Sequence, residues 1–253
     1  MSTIIYGKNP VIETLKKRPS QIIKIIIAKE KDDATTRTLR ELAERQKVSL
    51  AYEPRQALDQ LAGSAHHQGV LAIVAPFEEA TIDEIIKRWQ RSGEKLLALV
   101  VDGIQDPQNL GALIRTACAC GVHGVTVPKD RSASITAAVF KASAGAIEHV
   151  PIARVVNIAR TLDYFKKKGA WIVGTDAQSS MSLYDLDGSL DLALVIGSEG
   201  RGIRPLVKKK CDVIVHIPLR GAISSLNASA AGAVALYEIV RQRYYPKEKE
   251  LTK

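Results

Sequence analysis

The sequence predicts an α/β protein of two unequal units: a small α/β unit at the N-terminus and a larger one built on a mostly parallel sheet. Three observations carry that expectation. Short runs rich in Val, Ile and Leu alternate with helix-period segments along the chain, the pattern of strands crossed over by helices. The runs of the larger unit, such as LLALVV (96–101) and LALVI (192–196), are apolar throughout, as strands are when helices cover both faces of a sheet. Finally, 253 residues with 46% hydrophobic and 25% charged side chains hold enough core for two domains and exclude disorder, collagen-like repeats and a coiled coil. Aromatics are 5% of the chain, so the core is aliphatic.

The elements follow in order. IIKIIIA (22–28) reads as a buried strand, and residues 35–47 have helical spacing through Leu39, Leu42 and Ala43. Residues 48–52 and 70–74 read as short strands, with a helix after Pro54 between them. This unit, residues 1–76, is followed by TIDEIIKRWQR (81–91), a helix with Thr81 as N-cap, and by an Arg91-Ser92-Gly93-Glu94 break. Residues 77–95 are therefore read as a linker. In the second unit, 96–246, strands are expected at 96–101, 124–127, 171–175, 192–196 and 213–217. Helices are expected to start near Pro107, Ser134, Asn157, Arg204 and Leu226. Residues 247–253 form a charged tail expected to fray.

Charge points to a polyanionic partner. Lys and Arg number 36 against 27 Asp and Glu, a net of +9, and phosphates attract such a surface. Residues 1–76 carry 12 basic and 8 acidic side chains, 77–95 carry 4 and 5, and 96–253 carry 20 and 14, so both units are basic and the segment between them is not. The longest uncharged stretch, 221–237, contains three Ser and an Asn, too short and too polar for the ~20 apolar residues of a membrane span. MSTIIYGKNP lacks the basic start and apolar run of a signal peptide. A cytoplasmic protein without a membrane partner is expected. Cys118, Cys120 and Cys211 are odd in number, and no His or Cys pair at zinc spacing accompanies them. They read as small apolar side chains, not as disulfides or a metal site.

Ligands of doubly wound sheets bind beyond the carboxyl ends of the strands, and three such ends are followed by unusual sequence. The first is DGIQDPQNLGALIR (102–115). Asp106-Pro107 looks like an N-cap and first helical residue, although Asn109 could cap instead. Leu110, Leu113, Ile114 and Ala117 form an apolar stripe, and Arg115 lies off it beside Gly111 and Cys118. Gly111 removes a side chain where a ligand or a backbone could approach. Read alone, Arg115 solvates an exposed face. The second is LVIGSEGRGIRP (194–205), with three glycines in six residues free to take positive φ and offer amides to a ligand. Its spacing is neither the dinucleotide fingerprint nor a Walker A loop, and a plain αβ turn explains it about as well. The third, IPLRGAISSLNAS (217–229), leads into a helix that Ser225 or Asn227 can cap. Ala228, Ala231, Gly232 and Ala235 then form a stripe of small residues suited to a core seam or a subunit interface.

Together, DPQNLGALIRTA, LVIGSEGRGI and IPLRGAISSLNAS closely resemble, in order and spacing, the three motifs of the SpoU (TrmH-type) RNA 2′-O-ribose methyltransferases. The resemblance runs through residues 96–243. IYGKNPVIETL, HHQGVLAIV and VPKDRSA are similar to the branch that modifies guanosine in 23S rRNA, the RlmB type. That branch carries a small ribosomal-protein-like RNA-binding domain ahead of the catalytic one, which the simplest tRNA-modifying relatives lack. Ala228 departs from the family, which more often has Val there.

The resemblance implies S-adenosylmethionine as methyl donor, a deep trefoil knot in the C-terminal half, and a homodimer whose active site combines both chains. No metal is required for such a transfer. It gives the key catalytic role to Arg115, with Asn109, Glu199, Ser225 and Asn227 as supporting active-site residues. Gly197, Ile217 and Leu226 would contact the cofactor largely through backbone groups. Arg201, Arg204, Arg220, Lys129 and Arg131 are the RNA-binding candidates beside the site, and Lys8, Lys16, Lys17 and Arg18 those on the first unit. The expected activity is methyl transfer to the ribose 2′-hydroxyl of a guanosine in 23S rRNA. The alternatives are the same reaction on tRNA or another rRNA site, or a non-catalytic RNA-binding or ribosome-assembly protein.

Overall fold

The computed structural model describes residues 2–245; the expected tail, and Pro246 before it, lie outside them. The N-terminal unit begins with β1 (Thr3–Tyr6) and α1 (Lys8–Lys17), continues through β2 (Ile22–Ala28), α2 (Ala34–Arg45), β3 (Leu50–Glu53) and α3 (Arg55–Ala62), and ends with β4 (Val70–Val74). Its sheet has the order β1-β4-β2-β3, with β2 and β3 parallel and the other pairs antiparallel. Alternation along β2 divides the two faces. Ile25 and Ile27 pack with Val11 and Leu15 of α1 and Leu39 of α2, while Ile26 and Ala28 join Leu58 of α3. Asp33 closes a capping box with Thr36 at the start of α2. Neither β1 nor α1 is among the expected elements, and α1 carries Pro10 near its start. The proline sits in the first turn of α1, where a missing N–H costs nothing.

The segment read as a linker is structured. Its helix, α4 (Ile82–Ser92), is capped by Thr81 as expected and buries Ile85 and Ile86 in the core of the second unit. Gly124 has no Cβ where the Ile85 side chain sits, 2.4 Å from the position a Cβ would take.

Six strands follow: β5 (Leu97–Asp102), β6 (Gly124–Pro128), β7 (Ile152–Val155), β8 (Trp171–Thr175), β9 (Leu192–Gly197) and β10 (Val213–Val215). They form one sheet, ordered β10-β8-β9-β5-β6-β7, and every pair is parallel. All six carboxyl ends therefore share one edge. One face is covered by α5 (Pro107–Ala119), α6 (Ala137–Ala142) and α9 (Ala228–Tyr244), the other by α4, α7 (Ile158–Lys167) and α8 (Pro205–Lys208). Successive β5 residues serve the two layers: Leu97, Leu99 and Val101 on one side, Ala98 and Val100 on the other. Expected strands and helices occur within a few residues of their expected starts. β7, a half-exposed edge strand, is the addition.

The chain leaves β10 at the outer edge of the sheet and returns to its middle, where α9 packs on α5 and β9. Gly232 permits this, since a Cβ there would lie 2.2 Å from Leu113 Cδ2. Arg243, in the last turn, donates to the carbonyl oxygens of Gly188, Lys95, Leu96 and Leu190 at 2.8–3.0 Å. Burial holds its guanidinium below the usual arginine range.

Candidate functional site

Three polar side chains from the three sequence motifs meet at the carboxyl edge. Asp106 caps α5, its carboxylate accepting from the Gln108 and Asn109 amides at 3.1 Å each. This seats Asn109 in the first turn, 8% exposed. After β9, the chain folds back on itself: Ser198 and Gly202 exchange backbone hydrogen bonds of 3.1 and 2.9 Å. Gly197 lies flat against that turn, since a Cβ would fall 2.2 Å from the Gly202 carbonyl carbon, and Gly200 and Gly202 take φ of 77° and 64°. Glu199 is carried at the tip. Its Oε1 accepts from Asn109 Nδ2 at 3.0 Å, from Asn227 Nδ2, and from the Ala228 amide at 3.4 Å. Asn227 Nδ2 also donates to Asn109 Oδ1 at 2.8 Å. Asn227 is the N-cap of α9, accepting from the Ser229 and Ala230 amides, so Asn227, not Ser225, caps the helix.

The segment 217–226 arrives at this cluster without regular structure. Among the described residues, none of its backbone amides or carbonyls has a partner within the chain. Ile217 is half-buried against the core and Leu226 is half-buried, whereas Ser225 is exposed and makes no hydrogen bond among the described residues. Unpaired backbone groups beside the carboxyl edge of a parallel sheet suit a ligand recognised through main-chain contacts.

Arg115 is not brought to the cluster. It is exposed on α5, and among the described residues its side chain forms no ion pair or hydrogen bond. Nor do the side chains of Lys129, Arg131, Arg201 and Arg220, all of them exposed. The Lys129–Arg131 loop lies beside the β5 end: the Ala133 amide and the Ser132 hydroxyl both donate to the Ile104 carbonyl, and Arg131 takes a left-handed φ of 57°.

Arg204 differs from the other RNA-binding candidates. Its backbone amide and its Nε bond the carboxylate of Asp102 at 2.8 and 2.7 Å, and its NH2 reaches the same carboxylate at 2.6 Å. Asp102 is fully buried at the end of β5, so Arg204 neutralises an internal charge and ties the glycine turn to β5 instead of offering a free cation. Asp102 was not singled out from sequence; its signal is an acidic residue ending a strand that is otherwise wholly apolar. Asp176, after β8, is similarly paired with Lys208 at 2.5 Å, which holds its carboxyl below the usual range. On the first unit, Lys8 pairs with Asp33, Lys16 with Glu13, and Arg18 with Glu148. Of those four, the Lys17 side chain alone has no partner among the described residues.

Gly111 serves a backbone approach, not a ligand: a Cβ would lie 2.4 Å from Ala142 Cβ and 2.9 Å from the Ser143 amide, so α6 lies directly on α5. The cysteines are free, and burial pushes the Cys120 and Cys211 thiols up to about 11. Among the described residues, no group of three or more His, Cys, Asp and Glu could hold a metal ion, and no helix is long and apolar enough to cross a membrane. A cleft of about 600 Å³ between α4 and α7, lined in part by Ile82, Val156, Arg160 and Tyr164, holds none of the residues expected at the site.

Comparison with known proteins supplies the family. A profile for RNA 2′-O ribose methyltransferase substrate binding matches residues 4–80. YacO of Bacillus subtilis strain 168, named as a candidate TrmH-family tRNA/rRNA methyltransferase, is 45% identical over 239 residues, 94% of this chain and 95% of that one. The crystal structure of the SpoU methyltransferase AviRb from Streptomyces viridochromogenes, in complex with AdoMet, superposes with a TM-score of 0.79 at 26% identity, covering 96% of this chain and 90% of that one. The structure described as the A. aeolicus TrmH/SpoU tRNA modifying enzyme covers 63% of this chain and 84% of its own, with a TM-score of 0.53 and 28% identity. A profile of the SpoU rRNA methylase family matches residues 96–237, the stretch that contains all three motifs and the Asn109–Glu199–Asn227 cluster, and the chain belongs to that family.

Proposed function

We propose that this protein transfers a methyl group from S-adenosylmethionine to the ribose 2′-hydroxyl of a guanosine in 23S rRNA. The observation that carries the reading is the hydrogen-bonded cluster of Asn109, Glu199 and Asn227, which fastens the three family motifs together at the carboxyl edge. The cofactor reading draws on AviRb, whose structure contains AdoMet, and on the unpaired backbone groups of 217–226. Gly197, Ile217 and Leu226 would hold the donor through their main chain, and the donor supplies a methyl group activated on a sulfonium. The substrate reading draws on the match of residues 4–80 to a substrate-binding profile.

The work of the chain is positioning. Displacement at the methyl carbon needs the attacking oxygen held in line, and fixing that geometry removes much of the barrier. The ribose hydroxyl must also give up its proton. Arg115 is a poor base, because an arginine stays protonated in ordinary surroundings. Its role is to grip the phosphate next to the target ribose with its planar fork and organise departure of the proton. Ser225, exposed on the 217–226 segment, faces the substrate side. Lys129, Arg131, Arg201 and Arg220 extend the phosphate-binding surface. Among the described residues the Arg115 side chain has no partner, and Leu219, Ile223, Val234 and Tyr237 are exposed along the last motif and α9. Both support a homodimer in which the Arg115 of one chain completes the site of the other. The return of α9 from the sheet edge to its middle supports the trefoil knot.

The test is mass spectrometry of nucleosides and RNase fragments after incubating the protein with S-adenosylmethionine and unmethylated 23S rRNA or tRNA in parallel. Ribose-methylated guanosine in 23S rRNA alone is expected. The same product in tRNA alone overturns the substrate and keeps the chemistry. Cofactor and RNA binding without transfer to either overturns free RNA as the substrate, in favour of a non-catalytic RNA-binding or ribosome-assembly protein or of a precursor particle as substrate.

A further inference from the structure

We propose that Arg18 and Glu148 are positioning residues: they lock the N-terminal unit onto the layer that supports α5, so that RNA held by the first unit meets the site at a fixed distance and angle. The proposal rests on the RNA methyltransferase reading above.

Glu148 belongs to the second unit, in the turn after α6, and its side chain is 1% exposed. Every partner of its carboxylate comes from the first unit. Thr14 Oγ1 and Arg18 NH2 donate to Oε1 at 2.8 and 2.7 Å, and Arg18 Nε donates to Oε2 at 2.6 Å. This is the two-pronged geometry in which a guanidinium fixes orientation as well as distance. The remaining Arg18 nitrogen NH1 donates to Gln21. The guanidinium carbon stands 5.4 Å from the centre of the Phe77 ring, which meets Phe140 of α6 edge-on at 5.8 Å. Around this centre, Glu13 pairs with His149 at 2.7 Å and Lys141 donates to Gln68 at 2.6 Å. Gly145 lets α1 lie against the turn, a Cβ there falling 3.1 Å from Pro10 Cα. Val11 and Leu15 of α1 share one continuous buried cluster with Phe140 and Ile147. Parting the units would break these charge-assisted bonds and expose that apolar surface.

The contact leads to the site. α6 lies on α5 at Gly111 without an intervening side chain, and α5 carries both Asn109 and Arg115. The first unit is therefore seated on the element that backs the catalytic helix, and the connecting segment is itself packed through α4. Arg18, each of whose guanidinium nitrogens already donates to a partner within the chain, is thus assigned to geometry and not to a phosphate.

The two assignments predict opposite behaviour for Glu148. If Arg18 bound phosphate, removing Glu148 would free it and leave RNA binding equal or tighter. If the pair positions the domain, loss of either residue harms RNA use alike. The experiment compares Arg18→Ala, Glu148→Ala and Phe77→Ala in the full chain, using whichever transcript, unmethylated 23S rRNA or tRNA, the wild type methylates. Each variant should raise the KM for RNA about tenfold, with kcat at saturating RNA and cofactor affinity by calorimetry within about twofold, because misplacement and not chemistry is affected. Small-angle scattering should show a larger maximum dimension. The salt dependence of RNA binding should keep its slope, which loss of a phosphate contact would lower by about one. Unchanged KM and scattering in all three variants would overturn the proposal. So would a lower salt slope confined to Arg18→Ala with Glu148→Ala equal to wild type. Calorimetry of cofactor binding guards against a variant that fails to fold, and Phe77→Ala tests the same contact without unpairing a charge. If the wild type methylates no RNA, the functional reading fails, and the same comparison made on the Kd for the 23S transcript, with scattering, still decides this proposal.

Discussion

At the scale of single residues, two arginines on neighbouring motifs illustrate how differently the same side chain can be used. Among the described residues the Arg115 side chain has no hydrogen bond or ion pair, whereas Arg204 closes a pair with the fully buried Asp102. Replacing Arg204 by Ala leaves a carboxylate inside the protein without its cation, which costs about 3 kcal/mol for a buried pair and somewhat less here because the guanidinium is partly exposed. Urea unfolding should register that loss. Arg115→Lys should unfold at the wild-type midpoint yet lose about 10²-fold or more in turnover, since an ammonium cannot reproduce a planar fork aimed at developing charge. Near wild-type turnover of Arg115→Lys would remove the role assigned to it. Sequence distinguished these two only through the family motif. The Asp102 partner lies 102 positions from Arg204, and no local pattern links them. The pairing of Arg18 is hidden from local pattern for the same reason: its partner, Glu148, lies 130 positions away.

At the scale of elements, the glycine turn and the seam between α4 and β5 each make a separate prediction. Gly197 has backbone, not a flexible side chain, where a Cβ would go. Gly197→Ala must therefore open the Ser198–Gly202 turn and displace Glu199 from Asn109 and Asn227. Overpacking costs about 1–3 kcal/mol, and calorimetry should show cofactor binding weakened more than stability. Binding at wild-type strength would mean that the turn does not shape the cofactor site. The seam depends on His123, buried with Nδ1 accepting from the Leu97 amide at 3.1 Å and Nε2 on the Ser92 hydroxyl at 3.0 Å. Burial, the largest influence, holds this imidazole below its usual range. The unfolded chain therefore binds the proton more readily, and stability is lost as pH falls below the ordinary histidine value of about 6.5. Denaturant melts between pH 7.5 and 5 should show a steeper decline for the wild type than for His123→Gln. Equal slopes would show that His123 does not contribute. These elements were largely readable beforehand, because continuous apolar strands and capped helices are local patterns. The packed state of 77–95 was not, since an acidic, break-ended stretch looks like a linker until Ile85 and Ile86 find the second core.

At the scale of the whole molecule, the sequence pattern accounts for two sheets but not for how they are joined or where the last helix goes. Strand order, the seating of the first unit on α6 and the return of α9 all depend on contacts between distant segments, which periodicity does not record. The exposed Val234 and Tyr237 on α9, with Arg115 unpartnered on the adjoining α5, give the last prediction its form. If Arg115 completes the site of a second copy, Arg115→Ala and Asn227→Ala subunits carry defects in different halves of each site. Separately, both variants should be inactive. Co-expressed and co-purified, they form mixed dimers in which one of the two sites draws an intact Arg115 from one chain and an intact Asn227 from the other. A two-fold symmetric assembly with random pairing then recovers about a quarter of wild-type activity. Sites contained within single chains recover nothing, because every chain carries one of the two defects. Light scattering of each variant alone fixes whether dimers form, so that absence of recovery from true mixed dimers would overturn the shared site and leave Arg115 acting within its own chain.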